Sequence, residues 1–290
     1  MFPNQFEYHR PGSVQEVVQH LQQNPDAKIL AGGHSLLPAM KLRLASPAAL
    51  IDLNRIDDLR GISVNGDVRV GAMTTYRQLI DSQELGSRLP IIPETANNVG
   101  DPQVQARGTL GGSLAHADPA SDFTAVVLAL GGQITAVGPN GERTIAADDL
   151  FVDLLTTALA PDEVITAITF PALADRTGMA YEKHRHPASG YAVVGVAAVL
   201  ALGAGDTCQT ARIAVTGATS KATRATAAEQ ALAGQPLTSE TIGQASQAAP
   251  NGLELNGDLY ASEEYRRHLV GVYARRAIER AAERARGSST

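Results

Sequence analysis

The sequence predicts an α/β (α+β) protein of two domains, at residues 1–175 and 176–286. Three observations carry that prediction. In the first domain, short apolar strands alternate with amphipathic helices, and an Asn-Gly pair marks a hairpin. At Asp175-Arg176-Thr177-Gly178 a polar stretch breaks the pattern. Beyond it come three strands in a row and then three helices, a segregated order that suits a separate α+β unit.

Ser13 opens the first helix, because its hydroxyl can cap the N-terminus and Glu16 follows at capping-box spacing. Val14, Val17, Val18 and Leu21 then share one face, and Asn24-Pro25 ends the run. A strand at Lys28–Ala31, a helical piece at Leu36–Arg43 and a strand at Ala49–Leu53 complete a first subdomain, residues 1–58. This βαβ rhythm is not a Rossmann unit, since no G-x-G-x-x-G follows a strand.

The second subdomain, residues 59–175, opens with a hairpin of Ile62–Val64 and Val68–Val70 about Asn65-Gly66. Helices are expected at Tyr76–Leu85, Leu89–Asn98 and Phe123–Leu130, the last with Asp122 at its favourable N-terminal end. A hairpin of Gln133–Val137 and Arg143–Ile145 follows, then a strand at Val164–Phe170 that stops at Pro171. In the second domain, strands are expected at Met179–Lys183, Ala192–Leu202 and Gln209–Val215. Helices follow at Ala222–Ala233, Ser239–Ala249 and Ser262–Arg286, and the last residues to Thr290 read as a frayed tail.

Composition excludes several classes. The chain has 290 residues, 44% apolar and 19% charged, with a net charge of −6. That balance suits a globular protein and gives no hint of nucleic-acid binding, which wants a basic face. Cys208 is the single cysteine. The chain therefore forms no internal disulfide and holds no iron–sulfur cluster, which needs about four thiolates. The longest apolar run, Tyr191–Leu202, is too short for the ~20 residues of a transmembrane helix. The opening MFPNQFEYHRP has no basic segment followed by an apolar one, so a cytoplasmic protein is expected.

Two glycine-rich stretches stand out, KILAGGHSLLPAMK at Lys28–Lys41 and RGTLGGSLAHADPASD at Arg107–Asp122. Glycine lets a backbone approach a ligand with its N–H groups free. Consecutive N–H groups form nests for phosphate oxygens. A pair of such loops suits two faces of one elongated phosphate-bearing ligand.

The A-G-G-H-S and T-L-G-G-S motifs identify a resemblance. They are similar to those of the FAD-binding medium subunits of molybdenum hydroxylases, the aerobic carbon monoxide dehydrogenase group in particular. The resemblance covers nearly the whole chain, including FEYHRPGSVQEVVQHL, LIDLNRI at Leu50–Ile56 and YAVVGVAA at Tyr191–Ala198. It implies a two-subdomain FAD-binding domain of the PCMH/vanillyl-alcohol-oxidase type, then a C-terminal domain with a three-stranded sheet and helices.

The resemblance also implies site residues. The window Ile29, Leu30, Ala31, Gly32, Gly33, His34, Ser35 and Leu36 would receive the FAD pyrophosphate, with Ser35 adding a hydroxyl. Thr109, Leu110, Gly111, Gly112 and Ser113 would line the dinucleotide from the other side. Asp122 matches an acid on the ribose or pyrophosphate side, Lys183 a cation near the flavin ring, and Tyr191 an aromatic over one ring face. Ile165 would touch the adenine or ring region, and Val99 stands where some relatives carry a stacking aromatic. Each has an ordinary alternative: a tight turn, helix capping, an exposed strand lysine, a half-buried tyrosine, core packing. His34 and His116 read as loop residues, so the FAD is expected to be noncovalent.

No Ser-His-Asp set and no metal-ligand cluster stands out, so no catalytic residue and no metal ligand is assigned. The expected role is electron transfer within a heterotrimer. A small 2Fe-2S subunit would feed FAD, and a large molybdopterin subunit would oxidise the substrate. The complex would be a dimer of heterotrimers discharging to a quinone or other acceptor. Other readings are a xanthine-, nicotine- or aldehyde-type flavin subunit, a self-sufficient FAD oxidoreductase, and a nucleotide-binding module without redox role.

Overall fold

A computed structural model describes residues 2–287, so the end of the expected tail lies outside the described residues. The first unit comprises β1 (Glu7–His9), α1 (Val14–Gln23), β2 (Lys28–Leu30), α2 (Leu36–Lys41) and β3 (Ala49–Asp52). Its strands form a parallel sheet in the order β1-β3-β2. Strand β1 was not expected, because three partly exposed residues leave no alternating pattern. Val17, Val18 and Leu21 of α1 pack on Ile51, Leu53, Ile56 and Leu59. Ser13 caps α1 through the Glu16 amide, while the Glu16 carboxylate accepts from Gly12, one residue before the expected partner.

The second unit has β4 (Ile62–Asn65), β5 (Asp67–Gly71), α3 (Tyr76–Asp81), α4 (Gln83–Arg88), α5 (Ile91–Asn97) and α6 (Pro102–Arg107). There follow α7 (Leu110–His116), α8 (Asp122–Ala129), β6 (Gln133–Gly138), β7 (Gly141–Ala146) and α9 (Ala147–Leu150). The small hairpin β8 (Phe151–Asp153) and β9 (Thr156–Thr157) precedes β10 (Val164–Phe170). The main sheet is antiparallel, ordered β4-β5-β10-β6-β7. The single helix expected over Tyr76–Leu85 is two. Ser82 is extended (φ −78°, ψ 110°), and its side chain accepts from the Leu85 amide to start α4. Every residue of α8 is buried, which is why this helix lacks a polar face.

The third unit holds β11 (Thr177–Arg185), β12 (Ala192–Leu202), β13 (Cys208–Thr216), β14 (Thr223–Arg224), α10 (Thr226–Leu232), α11 (Ser239–Ala248) and α12 (Glu263–Ala285). The sheet has four antiparallel strands, one more than expected. The extra strand is only Thr223–Arg224, paired with Val215 and Ala214, in a stretch read as the start of a helix. All of β12 is buried. Ala197 and Val199 join the cluster around α8, whereas Val196, Ala198 and Leu200 join the cluster around α12. A strand covered on both faces reads as an unbroken apolar run. Arg284 of α12 reaches Glu94 of α5 at 2.6 Å and the Met179 carbonyl at 2.8 Å, tying the last helix to the second unit. No helix among the described residues is long and apolar enough to cross a membrane.

Candidate functional site

Where the three units meet there is a cavity of about 620 Å³. Its first wall is the turn between β2 and α2. Gly33 sits there at φ +79°, a left-handed conformation that suits glycine. The carbonyls of Gly33 and Ser35 accept from Leu37 and Ala39. The amides of Gly32, Gly33, His34, Ser35 and Leu36 donate to no atom among the described residues. The first amides of a helix have no partner within it, and a row of free N–H groups lining a cavity can serve as a nest for an anion.

The second wall corrects the sequence reading. Thr109–Ser113 is not a loop: Thr109 caps α7, and its side chain accepts from Gly112 at 3.2 Å. Leu110 donates to Thr74 at 3.1 Å, Gly111 to Ala72 at 2.9 Å and Ser113 to Thr109 at 3.1 Å. The amides of Leu110–Ser113 are therefore spent within the chain. What it offers the cavity is a surface without side chains, plus the Ser113 hydroxyl, 2.7 Å from that of Ser121. The glycines answer to chain contacts as well. A Cβ on Gly32 would lie 2.1 Å from the Arg107 carbonyl oxygen, and one on Gly111 would lie 2.5 Å from the Ala72 Cβ.

The third wall contains Asp122, Gly190 and Tyr191. Asp122 and Lys183 are both buried and form an ion pair, with Nζ 2.9 Å from each carboxylate oxygen. Lys183 also donates to the carbonyls of Asn98 at 3.0 Å and Gly190 at 2.9 Å, and the Tyr181 hydroxyl donates to Asp122. Burial pushes the Asp122 carboxyl up and the Lys183 ammonium down, and their attraction opposes both shifts. Burial likewise raises the phenol of Tyr191, a residue 46% exposed in the cavity lining.

Three expected residues do not line the cavity. Leu110 is fully buried in the core, as the inward face of α7 requires. Leu30 turns toward Gly33 and Leu37. Lys183 stands behind Asp122, its ammonium already surrounded by acceptors. The other expected residues, from Ile29 and Ala31 to Leu36 and at Thr109, Gly111–Ser113, Asp122, Ile165 and Tyr191, do line it, as does Val99.

The fourth wall was missed. Leu155, Thr157, Leu159, Ala160 and Glu163 close the cavity between β8 and β10. Arg143 grips Glu163 at 2.6 and 2.7 Å and donates to the Ala158 carbonyl at 2.8 Å, while the Ala160 amide donates to Glu163 at 2.7 Å. The segment LTTALAP has no glycine pair and no charge to announce it. A bulge at Thr166 shifts the β10–β6 register, and Val164 and Ile165 both reach the cavity. No cluster of three or more metal-ligating side chains exists among the described residues.

A dinucleotide fits such a site: a nest for its phosphates, apolar walls, and an aromatic at the mouth. Comparison with known proteins agrees. Residues 4–173 match the family model described as the FAD binding domain in molybdopterin dehydrogenase. Residues 179–281 match that of the CO dehydrogenase flavoprotein C-terminal domain. The chain is 42% identical to the carbon monoxide dehydrogenase medium chain of Hydrogenophaga pseudoflava, over 97% of this chain and 98% of that one. It is 41% identical to the corresponding chain of Afipia carboxidovorans, over 99% and 100%. The solved Hydrogenophaga pseudoflava enzyme that lacks the Mo-pyranopterin moiety superposes with a TM-score of 0.95 at 44% identity, covering 98% of this chain and 99% of that chain.

Proposed function

The chain belongs to the FAD-binding medium subunits of the carbon monoxide dehydrogenase-like molybdenum hydroxylases, and on that premise we propose that it carries electrons from an iron–sulfur partner through FAD to an external acceptor. The observation that supports this reading is the row of five amides at Gly32–Leu36, without partners among the described residues, in the lining of a cavity of about 620 Å³. FAD supplies the redox chemistry when bound, and the protein positions and tunes it.

The residues divide the work. The Gly32–Leu36 amides take the pyrophosphate, and Gly112 and Ser113 face it from α7. Tyr191 covers one face of the ring. Asp122 and Lys183 hold the loops at Asn98 and Gly190 in place, so Lys183 acts on the flavin site through Asp122 and these loops. Residues 1–175 form the FAD-binding part, and residues 176–286 close the cavity and present Tyr191.

The iron–sulfur clusters are assigned to another chain, because the single buried Cys208 cannot supply about four thiolates, and the molybdenum cofactor is assigned to the large subunit. We place the substrate on the large subunit and assign carbon monoxide as its class from the two carbon monoxide dehydrogenase chains above. The assembly is read as a cytoplasmic dimer of heterotrimers.

Stopped-flow flavin reduction tests this. The lone chain should bind FAD, release it as soluble yellow cofactor on acid precipitation, and fail to bleach with carbon monoxide. Adding the small and large subunits should make bleaching rapid. Rapid bleaching of the lone chain by an organic substrate would instead establish a self-sufficient oxidoreductase.

A further inference from the structure

A second cavity, of about 340 Å³, lies behind the wall formed by Met73 and Thr109. Its lining includes Arg60, Arg77 and Arg107, together with Asn54 and Gln78. No carboxylate lines it among the described residues, although the whole chain is acidic.

The charge is not balanced locally. Arg77 pairs with Asp81 at 2.9 Å. Arg60 donates only to neutral oxygens, the Met73 carbonyl at 3.2 Å and Asn54 Oδ1 at 3.1 Å. Among the described residues, Arg107 has neither a hydrogen bond from its guanidinium nor an ion pair. The Gln78 Oε1 accepts from Thr75, which orients an Nε2 that has no partner among the described residues. Arg60, half-buried, and Arg107, exposed, line the same concavity without a carboxylate partner among the described residues, and like charges that share a concavity favour an anion between them. A guanidinium fork fits two oxygens of one phosphate at once.

We propose that this second cavity is an anion site for a compact dianion, a free phosphate or a small phosphate monoester, occupied at the same time as the FAD cavity. Arg60 and Arg107 bind it as the two charged arms, and Gln78 adds a neutral donor. The site goes beyond the electron-transfer reading and does not depend on it.

The test uses the full chain loaded with FAD, titrated calorimetrically at fixed chloride with inorganic phosphate and, separately, with glycerol 3-phosphate. Saturable binding of one equivalent is expected, and the tighter of the two identifies the free ion or the monoester. Arg107→Gln should weaken it at least tenfold while the flavin spectrum persists, and Arg60→Gln should do likewise. Arg275→Gln, a change on an exposed face of α12, should leave it unchanged. Absence of saturable binding would overturn the proposal, as would equal binding in wild type and Arg107→Gln. Phosphate binding that bound FAD abolishes would assign this cavity to the dinucleotide and overturn it too. Failure to bind FAD would refute the electron-transfer reading and leave a positive phosphate result standing.

Discussion

The Nζ of Lys183 is 2.9 Å from both carboxylate oxygens of Asp122, and both side chains are buried. One pair thus joins β11 to the start of α8. Through the carbonyls of Asn98 and Gly190 it also fixes two loops whose neighbours Val99, Gly100 and Tyr191 line the main cavity.

Breaking this pair from one side leaves an uncompensated buried charge. Lys183→Met or Asp122→Asn should each destabilise the chain by about 3–5 kcal/mol. The double variant should lose clearly less than the sum of the two. Urea unfolding of all four proteins measures the coupling, and additive losses would show that the two groups do not interact.

The close approach of Gly32 to the Arg107 carbonyl makes Gly32 the most constrained of the site glycines. Gly32→Ala should force the first turn away from Gly108, lower stability by about 1–3 kcal/mol and reduce flavin occupancy. Gly33→Ala should act differently. It strains the backbone at φ +79° by about 1–2 kcal/mol, with its Cβ against the flexible Leu37 side chain. The ratio of flavin to protein absorbance after desalting measures both, and full occupancy in Gly32→Ala would separate this turn from the cofactor.

Glu163 predicts a pH dependence. The Arg143 hydrogen bonds beside it hold its carboxyl below the ordinary range. A carboxyl depressed on folding contributes stability that is complete above the unfolded value, about 4.3, and is lost as pH falls through the folded value. The melting temperature should therefore drop below about pH 4.3 more steeply in the native chain than in Glu163→Gln. Equal acid slopes would remove Glu163 from the account of the fourth wall.

Cys208 should be inert in the folded chain. It is fully buried, and burial pushes its thiol up to about 11. A chromogenic disulfide reagent should label no thiol in native protein and one in denaturant. Rapid native labelling would mean that the start of β13 opens locally.

Much of the local architecture could be read without coordinates. The strand–turn–helix around Gly32-Gly33 was legible because an apolar strand, a glycine pair and a following apolar helix leave little choice of local conformation. The buried β12 was legible as an unbroken apolar run. The chain-order reading failed where short segments carry too few residues for a period. Strand β1, α6, the β8–β9 hairpin and β14 are all of that kind, and Ser82 splits a helix by a capping bond that competes with continuation.

By itself the sequence determined the fold class, the two glycine stretches and the absence of cluster-forming cysteines, since these depend on residue types and their spacing. Only the tertiary structure decided how those residues are spent. It commits the Leu110–Ser113 amides to Thr74, Ala72 and Thr109, while those of Gly32–Leu36 have no partner among the described residues. It turns Lys183 onto Asp122 and builds a wall from the featureless 155–163 segment. The physical reason is that a hydrogen bond or an ion pair belongs to two partners. The second partner is often distant in sequence, as Asp122 is from Lys183, and packing alone brings the two together.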